Sequence, residues 1–256
     1  VGTVSTLTRN RFRAAAMAIA PLVLLAAFLY HPFLTGAGAP APEVVAEAAE
    51  SDPTRWAAAH LLALAAFALM ALAFQALRGR LRDAGEQRWS SWAFPLVIVG
   101  FVLLAGLPAI ELGIAGAIEA GGDTVALIEA VSPWFMTLLI IGGAAFVLGC
   151  LGFAMGVVRG AGMGRGLTAV VAIALIVTAL ALAAPPFWAF YVMAAAAIVA
   201  FWPLAWTAAK GGPAQVAGTG EVPATETPAT PRPRAAQEEP GGIRAALHRR
   251  HPPAHH

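Results

Sequence analysis

Apolar residues in this chain come in long runs separated by short polar joints. They show neither the period of two expected of strands nor the single narrow stripe of a surface helix. The stretch from Ala57 to Leu77 contains no Asp, Glu, Lys or Arg, and neither does the stretch from Trp89 to Ile110. Each is over 20 residues, about 30 Å as a helix and enough to cross a hydrocarbon core. Six such runs predict six spans at about 14–34, 56–77, 92–118, 134–158, 167–184 and 187–209. The predicted fold class is an all-α polytopic transmembrane helix bundle. A short polar N-terminus, 1–13, precedes it, and a tail rich in Pro, Ala and Thr, 210–256, follows. The tail's composition cannot bury a core, so disorder is expected there. Within the tail, Ile243–Arg250 has the pattern of two turns of basic amphipathic helix, and four histidines lie at or near its end. Segments 35–55 and 119–132 read as acidic loops.

The joints then set an orientation. Arg9, Arg11, Arg13, Arg78, Arg80, Arg82, Arg88, Arg159 and Arg165 all fall on one side of the predicted spans, against Arg55 alone on the other. Positively charged short loops stay in the cytoplasm, which places both termini there. Trp89, Trp92, Trp202 and Trp206 fall at the predicted inner boundary, and Tyr30, Trp56, Trp134, Trp188 and Tyr191 at the outer one. Amphipathic rings settle at both boundaries as anchors. A basic flank before the first run is also how a signal peptide begins. The run's length and the five runs after it favour a retained span.

Composition agrees with a bilayer-embedded chain. Hydrophobic residues make up 59% and charged residues 12% of the 256, where a soluble domain carries roughly 25% charge. Mean hydropathy is +0.73. The lipid bilayer is the partner this implies, and the membrane-flanking arginines form no nucleic-acid patch. Cys150, the one cysteine, sits inside an apolar run and reads as a small packing residue. Span four carries Gly149, Gly152 and Gly156, whose spacing lets helix backbones approach closely. That face is expected to pack within the bundle, with a homo-oligomer or a membrane partner as the alternative.

Candidate chemistry is sparse. Ionisable groups at membrane depth are expensive and usually functional. Three share one depth just under the outer surface: His31 closing span one, His60 early in span two and Glu111 late in span three. His31 and His60 have the chemistry of axial haem ligands. With Glu111 they make a donor set for zinc or another divalent metal. Imidazoles beside a carboxylate also make a proton-responsive cluster. The plainer alternative is that each is an interfacial residue. Glu111 with Pro108, which breaks span three, also fits the outer gate of a small permease. No H-E-x-x-H and no G-x-S-x-G occurs, and the glycine-rich link 160–166 lacks the Walker pattern. The sequence therefore leans away from an enzyme and towards a non-enzymatic membrane component or partner subunit, with the metal or haem module and the permease as alternatives.

His31-Pro32 closing span one and Trp56-Ala-Ala-Ala-His60-Leu-Leu opening span two resemble a loose group of uncharacterised actinobacterial six-span membrane proteins. The resemblance covers roughly 14–209. It implies the topology and a bacterial cytoplasmic membrane, and it carries no activity.

Overall fold

The structure, a computed structural model, describes residues 2–32, 40–160, 163–184 and 187–210. Beyond Lys210, the expected disordered tail, its basic helix and its histidines lie outside the described residues. The described elements are all helices: α1 (Gly2–Tyr30), α2 (Pro42–Ser51), α3 (Pro53–Asp83), α4 (Arg88–Glu119), α5 (Thr124–Gly160), α6 (Arg165–Leu182) and α7 (Ala189–Ala209). All but α2 are long and apolar enough to cross a membrane. The chain is thus an all-α polytopic bundle with six candidate spans.

The helices outrun the apolar runs that predict them. No Pro or Gly interrupts Thr3–Ala20, so α1 is helical from Gly2 and the polar N-terminus forms its first turns. The segment read as an acidic loop, 35–55, contains α2. Pro42 stands in its first turn, where a missing N–H does no harm, and Ala46 and Ala49 are buried beside Trp56, Ile114 and Ile128. The loop read at 119–132 shortens to a turn, because Asp123 Oδ1 accepts the Ala126 amide at 3.0 Å and caps α5.

Two turns share one stopping device. Gly85 and Gly121 adopt φ of 85° and 67°, conformations that a side chain disfavours. The next amide reaches back over the helix end, Glu86 to the Leu81 carbonyl (2.9 Å) and Gly122 to the Ala117 carbonyl (2.8 Å). Glu86 then opens α4, its carboxylate accepting the amides of Trp89 (2.6 Å) and Ser90 (3.1 Å).

The spanning helices close a ring: α1 packs on α3, α3 on α4, α4 on α5, α5 on α6, α6 on α7, and α7 back on α1. Phe74 of α3 lies at its centre. Its ring meets Phe101, Phe146, Phe153 and Phe201 at centroid distances of 5.8, 6.1, 5.2 and 5.1 Å. Outside, Leu29, Val102, Ile140, Ile173 and Leu180 are exposed, which suits a lipid-facing wall.

Gly149, Gly152 and Gly156 are buried against the α3–α4 pair of the same chain. A Cβ on Gly149 would come within 2.5 Å of Val97 Cγ2, and one on Gly152 within 2.7 Å of the Ala93 Cβ. At Gly156 it would lie 3.0 Å from a Glu86 carboxylate oxygen. These glycines serve packing inside the bundle, and a contact between copies through α5 would need another of its faces.

The ring has two chemically different ends. One gathers the start of α1, the α3–α4 turn and the end of α7, with Arg9, Arg13, Arg80 and Arg82. The other gathers the end of α1, all of α2, the start of α3 and the end of α4, with Glu43, Glu47, Glu50 and Glu111.

Candidate metal centre

The glutamate-rich end brings His31, His60 and Glu111 together, with one ligand atom from each all within 4.8 Å of one another. Helices α3 and α4 and the residue just past the end of α1 supply them, and His31 and His60 are held by local structure.

His60 is fixed by α3. Asp52 caps this helix, its Oδ1 accepting the Arg55 amide at 2.9 Å, and Pro53 follows in the first turn. Trp56 and His60 stand one turn apart on the same inward face, and both are buried. His60 Nδ1 lies 2.6 Å from the Trp56 carbonyl oxygen. The Trp56 indole Nε1 in turn donates to the Glu111 carbonyl at 3.0 Å, tying α3 to α4 at this depth.

His31 lies one residue beyond α1, its amide still bonded to the Ala27 carbonyl at 3.0 Å. Arg55 secures this end of α1: its Nε donates to the Tyr30 carbonyl at 3.0 Å and its guanidinium lies 5.6 Å from the Tyr30 ring centre. The His31 ring sits among Trp56, His60 and Phe187, with centroids at 5.6, 4.8 and 5.4 Å. Its Nδ1 is 2.7 Å from the Pro32 carbonyl oxygen.

These two contacts assign the tautomers. A carbonyl oxygen only accepts, so Nδ1 carries the proton in both rings and each neutral ring keeps a lone pair on Nε2. Those two Nε2 atoms are 3.1 Å apart, and the Glu111 carboxylate contacts His60 Nε2 directly. With both rings neutral, three acceptors converge with no donor among them. Like partial charges at this separation repel unless a cation lies between them, either a metal ion or a proton.

The spacing of the two imidazole nitrogens fits a metal. With bonds of 2.0–2.1 Å, two nitrogens on a tetrahedral ion lie about 3.3 Å apart, and at a right angle about 2.9 Å. Ligating imidazoles commonly give their other N–H to a backbone carbonyl, as both do here. Two imidazoles and one carboxylate suit zinc or ferrous iron.

Sequence reasoning named the three candidate residues and missed their supports. Trp56 reads as an interfacial anchor from its position, yet it is fully buried. Its spacing of four from His60 was the available signal. Trp134, Trp188 and Trp206 are exposed, at 69, 58 and 63%, which an anchor requires. Pro108 is buried within α4.

No family model, no curated protein and no solved structure matches the chain.

Proposed function

We propose that this is a non-enzymatic component of a bacterial cytoplasmic membrane, with both termini inside. In this reading it holds one divalent transition-metal ion, zinc or ferrous iron, between His31, His60 and Glu111 near the outer face. The observation that carries it is the convergence of two Nε2 lone pairs and a carboxylate, with both Nδ1 atoms turned to carbonyl oxygens. The ion would clasp α1, α3 and α4 at one end of the ring. The asymmetry of arginine between the two ends supports the orientation, and the six long apolar helices support the membrane.

Haem is the weaker fit. Axial imidazoles on opposite faces of a porphyrin put their nitrogens about 4 Å apart with the macrocycle between them. Here the separation is 3.1 Å, and Glu111 stands against one of the two nitrogens. The permease reading loses support because the Glu111 carboxylate is engaged with His60 and Pro108 is buried.

A second reading keeps the same residues with a proton as the shared cation, since 3.1 Å between nitrogens is also a hydrogen-bond distance. Elemental analysis of the detergent-purified full chain, after equilibration with zinc or with ferrous iron, separates the two. The metal reading expects one equivalent of ion per chain, lost in His60→Ala and in Glu111→Gln. A wild-type chain that takes up no ion would overturn it and leave the proton.

A further inference from the structure

At the opposite end of the ring, a cavity of about 150 Å³ opens between α1, α3 and α7, lined by Asn10, Arg13, Arg80, Asp83 and Thr207 among others. Its charge is unbalanced. Asp83 is the one carboxylate, and it pairs with Arg13 at 2.5 Å and with Arg9 at 3.7 Å. The Arg80 guanidinium donates to the Leu204 carbonyl at 3.3 Å and has no carboxylate partner among the described residues. A guanidinium carries five N–H donors, so most of Arg80's remain available. Two guanidiniums against one carboxylate leave the cavity lining with a surplus positive charge, and Arg9 adds a further one from outside the lining.

The arrangement is built rather than incidental. The Arg13 side chain is only 11% exposed, and its guanidinium lies across Gly79 so closely that any Cβ there would collide with it. A glycine in α3 thus makes the space through which Arg13 reaches Asp83. Arg80, the next residue, extends from α3 to the α7 backbone. Two arginines from different helices are consequently held side by side, although like charges repel.

We infer that this pocket binds a phosphate group, supplied by the headgroup of an anionic membrane lipid. A phosphate offers several acceptor oxygens to the spare N–H donors of Arg80 and Arg13, and forked guanidinium contacts are the strong form of that bond. Basic pockets between helices at a membrane surface collect anionic headgroups for this reason. The cavity lies at the end of spanning helices, the depth at which lipid phosphates lie. It is also about 30 Å along α3 from His60, twenty residues away, so it is independent of the metal reading.

The test uses the detergent-purified full chain, titrated separately with phosphatidylglycerol, with phosphatidylcholine of the same acyl chains and with inorganic phosphate. Bound lipid is read by native mass spectrometry and phosphate by thermal shift. Phosphatidylglycerol is expected to bind about tenfold more tightly than phosphatidylcholine. That preference should disappear in Arg80→Gln and in Gly79→Ala, which displaces Arg13 without changing the charge. It should persist in Arg165→Gln, an exposed arginine at the same end of the bundle. Burial of the Cys150 thiol checks that each variant is folded. If inorganic phosphate binds and the lipid preference is absent, with the same dependence on Arg80 and Gly79, the pocket stands with free phosphate as its source. If neither probe binds the wild type, or if Arg165→Gln loses as much as Arg80→Gln, the inference is overturned.

Discussion

His31 and His60 face each other through their Nε2 atoms across 3.1 Å, while the Nδ1 of each ring meets a backbone carbonyl oxygen. In neutral rings the carbonyls draw the proton to Nδ1, and the facing Nε2 atoms, with Glu111 beside them, suit a shared cation.

Metal binding should stabilise the bundle, because an ion held by three helices binds the folded chain and not the separated helices. At a zinc concentration a hundred times Kd, the gain is about 2.7 kcal/mol. A rise in thermal midpoint with zinc, removed by a chelator and absent in His31→Ala and His60→Ala, checks this. An equal rise in wild type and His60→Ala would sink it.

The gain should depend on pH. Imidazole ligates only when unprotonated, so protons compete with the ion. The zinc-induced rise in midpoint is expected in full at about pH 7.5 and to be lost only as pH falls below the ordinary imidazole range, because burial lowers the His31 pKa below it. A rise that persists unchanged well below that range would mean that histidines do not hold the ion.

Glycine substitutions in the α4–α5 pair should differ in sign. At Gly149 a new methyl group would meet Val97 Cγ2 at 2.5 Å, the Val97 amide nitrogen at 2.8 Å and the Ala93 carbonyl at 3.0 Å. Backbone cannot yield there, and Gly149→Ala is expected to destabilise by ~1–3 kcal/mol. Gly113 has nothing within 4 Å, so Gly113→Ala should be neutral or stabilise by up to about 1 kcal/mol through helix propensity. Unfolding in mixed micelles measures both.

Cys150 reports on the core. Its side chain is fully buried, and burial raises the thiol's resistance to modification. Maleimide should label the folded chain slowly and the denatured chain at once. Phe74→Ala, which empties the centre of the ring at a cost of ~3–5 kcal/mol, should accelerate labelling markedly.

Orientation can be read in intact cells with a thiol reagent that does not cross membranes, in a Cys150→Ala background. Ser51→Cys, on the exposed side of α2, is expected to be labelled from outside. Ala84→Cys, exposed in the α3–α4 turn, is expected to be labelled only after the membrane is opened. The reverse pattern would invert the proposed topology.

By itself, the sequence determined that this chain is a bundle of six membrane-length helices, because length and hydropathy are properties of single segments. The asymmetry of arginine between the joints was equally local, and so was the choice of His31, His60 and Glu111 as rare ionisable groups at one depth. Tertiary structure decided what depends on which helices are neighbours. Runs 35–55 and 119–132 gain helix through an N-cap and through apolar contacts with distant residues, which loop composition conceals. Trp56 reads as an anchor until Glu111, 55 residues away, accepts its N–H. Above all, sequence placed the three candidate residues at one depth but not facing one another. Helical rotation is set by packing, here by Phe74 and its ring partners, by the α4–α5 glycine contact and by the Arg55–Tyr30 link. That rotation brings two imidazole lone pairs within 3.1 Å.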